Sequence, residues 1–189
     1  MGLARLDRLG REFPLQFDLR AYFLHPEIPP EGQLRRSRPF EAPGQPPRWQ
    51  AYAEEEGLVM RRAELTPYSR LAQAATEYAK SYGKAEAFHH AAYRALWEDG
   101  ANLGDMAVLE KLATGVGLDW ADLSQKLRAG VYDAVIEQQH DEGIRVGVEG
   151  VPAFVVDRLF YFSGAQPIEM FRLVAKRALD ARRSEDSLG

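Results

Sequence analysis

Residues 147–167 read GVEGVPAFVVDRLFYFSGAQP, and the placing of the first proline in that stretch decides the fold. A glycine-bounded turn, Gly147 to Gly150, runs into Val151-Pro152 and then into the apolar run AFVV. Proline has no N–H to give a sheet, so it belongs at a strand's first residue, an edge or a bulge. Pro152 therefore marks the mouth of a short strand. Asp157-Arg158 turns the chain and LFYFSG returns, which reads as a hairpin, although the turn lacks the glycine that tight hairpins favour. A last helix follows. Pro167 suits its first turn, and Ile168, Phe171, Val174, Ala175 and Ala178 form the stripe expected to be buried.

Upstream, GLARLDRLGREF sets Leu3, Leu6, Leu9 and Phe13 near helical spacing, so an amphipathic helix is expected to end between Gly10 and Pro14. In LQFDLRAYFL, from Leu15 to Leu24, Leu15, Phe17, Leu19 and Ala21 alternate with polar residues, the period of a strand with one wet face. A proline-rich loop comes next; nine of the eleven prolines lie between Pro14 and Pro67. From Pro47 to Val146 the pattern is helical almost throughout, with glycines at the breaks. One stripe runs through Leu71, Ala74, Ala75, Tyr78 and Tyr82, another through Phe88, Ala91, Ala92, Ala95 and Leu96. Asp105 and Asp119 stand where helix N-caps are needed. The order is helix, strand, helical block, strand, strand, helix. Residues 1–45 and 147–189 form a discontinuous α/β domain, and residues 46–146 a helical insertion.

Composition narrows the function. The 189 residues carry 24 Lys and Arg against 28 Asp and Glu, a net charge of −4. That is no electrostatic footprint for nucleic acid. No apolar run approaches the ~20 residues of a membrane span, and the N-terminal residues show no apolar signal core. A cytoplasmic setting is the expectation. There is no cysteine, which excludes a disulfide, a Cys-ligated zinc or a cysteine nucleophile within this chain.

Together, the strand-then-helices frame, the Val-Pro before a hairpin and the closing helix resemble the thioredoxin-like fold in its DsbA-like form with a large helical insertion. The segments GVEGVPAFVV and SGAQP, with LHPEIPPEG and the helical block from Arg70, resemble the FrnE-like dithiol–disulfide oxidoreductases. The resemblance implies that Pro152 is cis and faces the active-site dithiol. Proline suits such a kink: a cis bond costs ~3 kcal/mol before other residues but only ~0.5–1 before proline. It also implies that Gly150, Val151 and Pro152 form the substrate-binding loop, with the Val151 main chain pairing an extended protein or peptide substrate like one more strand rung. In the family the chemistry lies in a C-x-x-C between a first strand and a first helix, where a helix N-terminus lowers the thiol pKa. This sequence opens at MGLARLDRL, which resembles the helix just after that motif. The expectation is that the first strand is missing through N-terminal truncation, that no residue here is catalytic, and that the chain alone does no thiol exchange. An authentic Cys-free descendant is the other explanation.

Two further readings use the same fold. Kappa-class glutathione transferases and 2-hydroxychromene-2-carboxylate isomerases share it, need no protein cysteine, and would place glutathione at the Val-Pro backbone. A non-catalytic peptide-binding module would use the same edge. Metal chemistry is not expected. His89 and His90 are adjacent and point ~100° apart on a helix, His25 and His140 stand apart from them, and there is no H-E-x-x-H. His140 opens HDEG and reads best as part of a solvated helix face. Arg35 to Arg38, RRSR, is too short for a nucleic-acid patch, and Trp49, Trp97 and Trp120 read as packing anchors.

Overall fold

The computed structural model describes residues 1–35, 48–61 and 63–186. The chain divides into two compact units, residues 1–18 with 144–189 and residues 19–143. The chain thus passes between units at 18/19 and again at 143/144, where the sequence pattern puts the changes at 45/46 and 146/147.

The first unit is built on helix α1 (Gly2–Leu9), the hairpin β3 (Ala153–Val156) and β4 (Phe160–Ser163), and helix α8 (Ile168–Asp186). Leu9, Ile168, Phe171 and Ala175 are buried together, and Leu6, Phe13, Leu15, Phe154 and Phe162 pack against them. All five α8 residues of the expected stripe are buried. Glu12, just past α1, accepts two hydrogen bonds from Arg172 of α8, at 2.8 and 2.7 Å. That guanidinium holds the Glu12 carboxyl below its ordinary range. The hairpin pairs Ala153 with Ser163, Phe154 with Phe162, Val155 with Tyr161 and Val156 with Phe160. Its turn brings Asp157 and Arg158 to φ of 51° and 59°, and the Leu159 amide closes it on the Val156 carbonyl at 3.0 Å.

The second unit is helical: α2 (Arg48–Glu55), α3 (Arg70–Lys80), α4 (Ala85–Glu98), α5 (Met106–Gly115), α6 (Trp120–Arg128) and most of α7 (Asp133–Arg145). Its core includes Ala74, Ala75, Tyr78, Phe88, Leu109, Leu123 and Ile136. Asp105 caps α5 through the Ala107 amide and Asp119 caps α6 through the Asp122 amide. Past α5, Gly117 takes φ 73°, so that the Leu118 amide reaches the Ala113 carbonyl at 2.9 Å. A residue with a side chain would be strained there. The buried Tyr78 hydroxyl donates to Asp122, which also accepts from Lys126. Burial first, then hydrogen bonds with Tyr82 and Asp122, raise the Tyr78 phenol well above its ordinary range. Tyr82, in the expected stripe of α3, is instead half exposed and rests its ring on Tyr78. A two-rung ladder that the sequence pattern did not suggest joins β1 (Gln33–Leu34) to β2 (Leu65–Thr66).

The expected strand from Leu15 to Leu24 is not one. Burial does alternate from Phe13 to Arg20, but no residue there joins a ladder. The physical reason is visible in its hydrogen bonds. The Ala21 amide donates to Gln139 Oε1 at 2.7 Å and the Phe23 amide to His140 Nδ1 at 3.2 Å, both on α7. On the other edge Gln73 of α3 donates to the Tyr22 carbonyl at 3.1 Å. Helix side chains satisfy the main-chain groups that a neighbouring strand would otherwise meet.

Candidate functional site

The loop from Gly147 to Pro152 and the strand it opens lie wholly within the first unit. The Val151–Pro152 peptide bond is cis. The strand proper starts one residue after the proline, at Ala153, but the Pro152 carbonyl already accepts from the Gly164 amide at 2.7 Å. Proline thus joins the ladder with its carbonyl alone, the only main-chain hydrogen-bonding group it has. At the loop's other end the Tyr161 hydroxyl donates to the Gly147 carbonyl at 3.3 Å, tying the loop to β4.

Two faces of the hairpin differ. On one, the Phe154, Phe162 and Phe171 rings meet with centroids 4.9 Å apart in each pair, one stacked and two edge-on. Gly2 of α1 comes up to the same face. A Cβ there would lie 2.9 Å from the Pro152 ring and 3.0 Å from Phe154, so only glycine allows this approach. On the other face Val155 is 55% exposed and its partner Tyr161 43%. Val151, at the mouth, is 48% exposed.

The ladder also fixes which main-chain groups are free. Because Pro152 and Gly164 are a hydrogen-bonded pair, the alternation of an antiparallel ladder makes Phe154–Phe162 and Val156–Phe160 hydrogen-bonded too. The N–H and C=O of Ala153 and Val155 then point away from β4. Among the described residues β3 pairs with β4 alone, so these groups line an open edge that continues the line of Val151. The edge can pair with an extended backbone and offers no acid, base or nucleophile.

The other sequence candidates lie elsewhere. His25 is exposed beside Glu27, 3.1 Å away. His89 packs its ring on Tyr93; burial first, then the charge of His90, hold its pKa down to about 4. His140 is a correction: it does not belong to a solvated face but is half-buried, with its ring against Tyr22 and Phe23. Sequence reasoning missed the roles of Gln73 and Gln139, since an amide has no motif. Trp120 packs against the helical core and Trp97 is half-buried. Trp49's side chain and Arg36 to Arg38 lie outside the described residues. Arg35 gives its amide to the Glu64 carbonyl. No group of three His, Asp or Glu is placed to hold a metal among the described residues.

With this geometry in place, comparison with known proteins is specific. The family model of the DSBA-like thioredoxin domain matches residues 1–174. The chain belongs to the DSBA-like thioredoxin family. Uncharacterized protein YwbO of Bacillus subtilis (strain 168) is 29% identical over 110 residues. The crystal structure of the probable DsbA oxidoreductase SCO1869 from Streptomyces coelicolor is 31% identical with a TM-score of 0.64, over 69% of this chain. This DSBA-like chain spans 55% of the first relative's length and 57% of the second's. A 2-hydroxychromene-2-carboxylate isomerase superposes over the whole chain and 92% of its own, with a TM-score of 0.70. At 16% identity that likeness shows the DSBA-like fold alone. No helix among the described residues is long and apolar enough to cross a membrane.

Proposed function

We propose that this chain is the polypeptide-binding part of a dithiol–disulfide oxidoreductase of the FrnE-like branch, with Gly150, Val151 and Pro152 as its substrate loop. The observation that carries the reading is the open edge of β3. An exposed Val151 leads into unpaired main-chain groups at Ala153 and Val155. Such an edge recognises a backbone and tolerates many sequences, which suits an enzyme acting on protein thiols in general. The likeness to a DsbA oxidoreductase supports the same class.

The chemistry sets a limit. Thiol–disulfide exchange begins with attack by a thiolate on a disulfide sulfur, and this chain has no cysteine to supply one. The chain alone is therefore expected to reduce insulin with dithiothreitol no faster than the blank, and a clear rate would overturn that. Binding is tested separately with a fluorescent peptide from a reduced, unfolded protein. Val151→Pro removes one main-chain donor and should weaken binding about tenfold, as for a lost hydrogen bond left unreplaced. Val151→Ala keeps the donor and should bind within about threefold. Equal binding by Val151→Pro and the unsubstituted chain would sink the loop assignment. The likeness to the isomerase concerns the fold and gives glutathione no separate support.

A further inference from the structure

The chain passes between the two units twice, at 18/19 and at 143/144. Just inside the helical unit those two passages are fastened to each other. Arg20 pairs with Glu142, the Ala21 amide with Gln139, and the Phe23 amide with His140. We propose that this clasp is pH-sensitive and that His140 is its switch.

The argument is one of donors and acceptors. The Phe23 amide donates to Nδ1 of His140, so this nitrogen must offer a lone pair, which only the neutral ring with its proton on Nε2 provides. A protonated ring carries N–H on both nitrogens and faces the amide donor to donor. Docking of residues 20–23 and protonation of His140 therefore oppose each other, and the clasp tightens as pH rises. The charged groups around the ring do not favour the cation. Glu142 of α7 is paired with Arg20 of the segment, and Glu137 of α7 with Arg70 of α3, whose guanidinium lies 4.3 Å over the Phe23 ring. Asp141 is exposed. Tyr22 meets the ring edge-on. Histidine is the side chain whose charge changes between pH 5 and 8, and the two neighbouring bonds are built from groups that do not titrate there. Ala21 is held by an amide oxygen and Arg20 by a carboxylate.

Amide hydrogen exchange of the intact chain tests this residue by residue. After correction for intrinsic rates, protection of the Phe23 amide should fall about five- to tenfold from pH 8 to pH 5, the worth of one hydrogen bond. Protection of Ala21, whose acceptor Gln139 does not titrate, should stay level. His140→Gln offers an acceptor that does not titrate and should flatten the Phe23 response. Level Phe23 protection in the unsubstituted chain overturns the proposal, and so does an unchanged response in His140→Gln. Far-UV circular dichroism at both pH values separates local release from unfolding: a loss of helix signal matching the Phe23 loss would also overturn it.

Discussion

Single residues decide more here than their positions announce. His89 on α4 is such a case. Burial holds its imidazole at about 4, below the ordinary 6.5. The folded state therefore prefers the neutral ring, while the unfolded chain protonates it near 6.5. Its share of stability is complete above about pH 6.5 and is lost as pH falls towards about 4. The urea midpoint should accordingly drop between pH 7 and pH 4.5, and less steeply in His89→Leu. Equal slopes in the two proteins would remove His89 from the account. The sequence showed why His89 and His90 cannot share a metal, because adjacent helical residues diverge. It did not show which of them is buried, because that depends on what the rest of the unit lays against α4.

Elements were legible where one short pattern is enough to build them. The α8 stripe, the caps at Asp105 and Asp119 and the hairpin after Pro152 each rest on local spacing, and each is present. The Leu15–Leu24 segment failed as a strand because alternation encodes sidedness and says nothing of a partner; Gln139, His140 and Gln73 took the partner's place. Tyr82 failed as a core residue because its ring had to share a face with Tyr78, and only one of them went inside. The hairpin turn gives a prediction at this scale. Arg158 stands at φ 59°, a conformation costing a residue with a Cβ roughly 1–2 kcal/mol. Part of that is returned by the entropy glycine loses on folding, roughly 0.5–1 kcal/mol. Arg158→Gly should therefore raise stability by about 0.5–1 kcal/mol, read as a higher urea midpoint. A lower midpoint would show that the arginine is doing something the turn geometry does not reveal. Asp157 is left in place in that variant because Arg182 of α8 pairs with it.

The whole molecule is two cores of unequal size. The first unit rests on four buried residues, Leu9, Ile168, Phe171 and Ala175, whereas the second buries a much longer set from Ala21 to Ile136. Opening costs follow buried apolar area. Under rising urea the α8 amides should lose exchange protection before those of α3. Simultaneous loss would mean that the two cores unfold as one. The site follows the same division of what can be read. Val151 and Pro152 announce themselves, while the open edge of β3 appears only when the ladder's alternation is traced from Gly164. One feature reaches beyond stability. A sheet is indifferent to the identity of the residues it joins, because every residue brings the same amide. Residues 20–23 are instead held by two glutamines and a histidine, so their seating is written in the genetic code at positions 73, 139 and 140. A single-codon change on α3 or α7 can reposition a backbone far away in sequence, where a β-ladder would have absorbed the same mutation without moving.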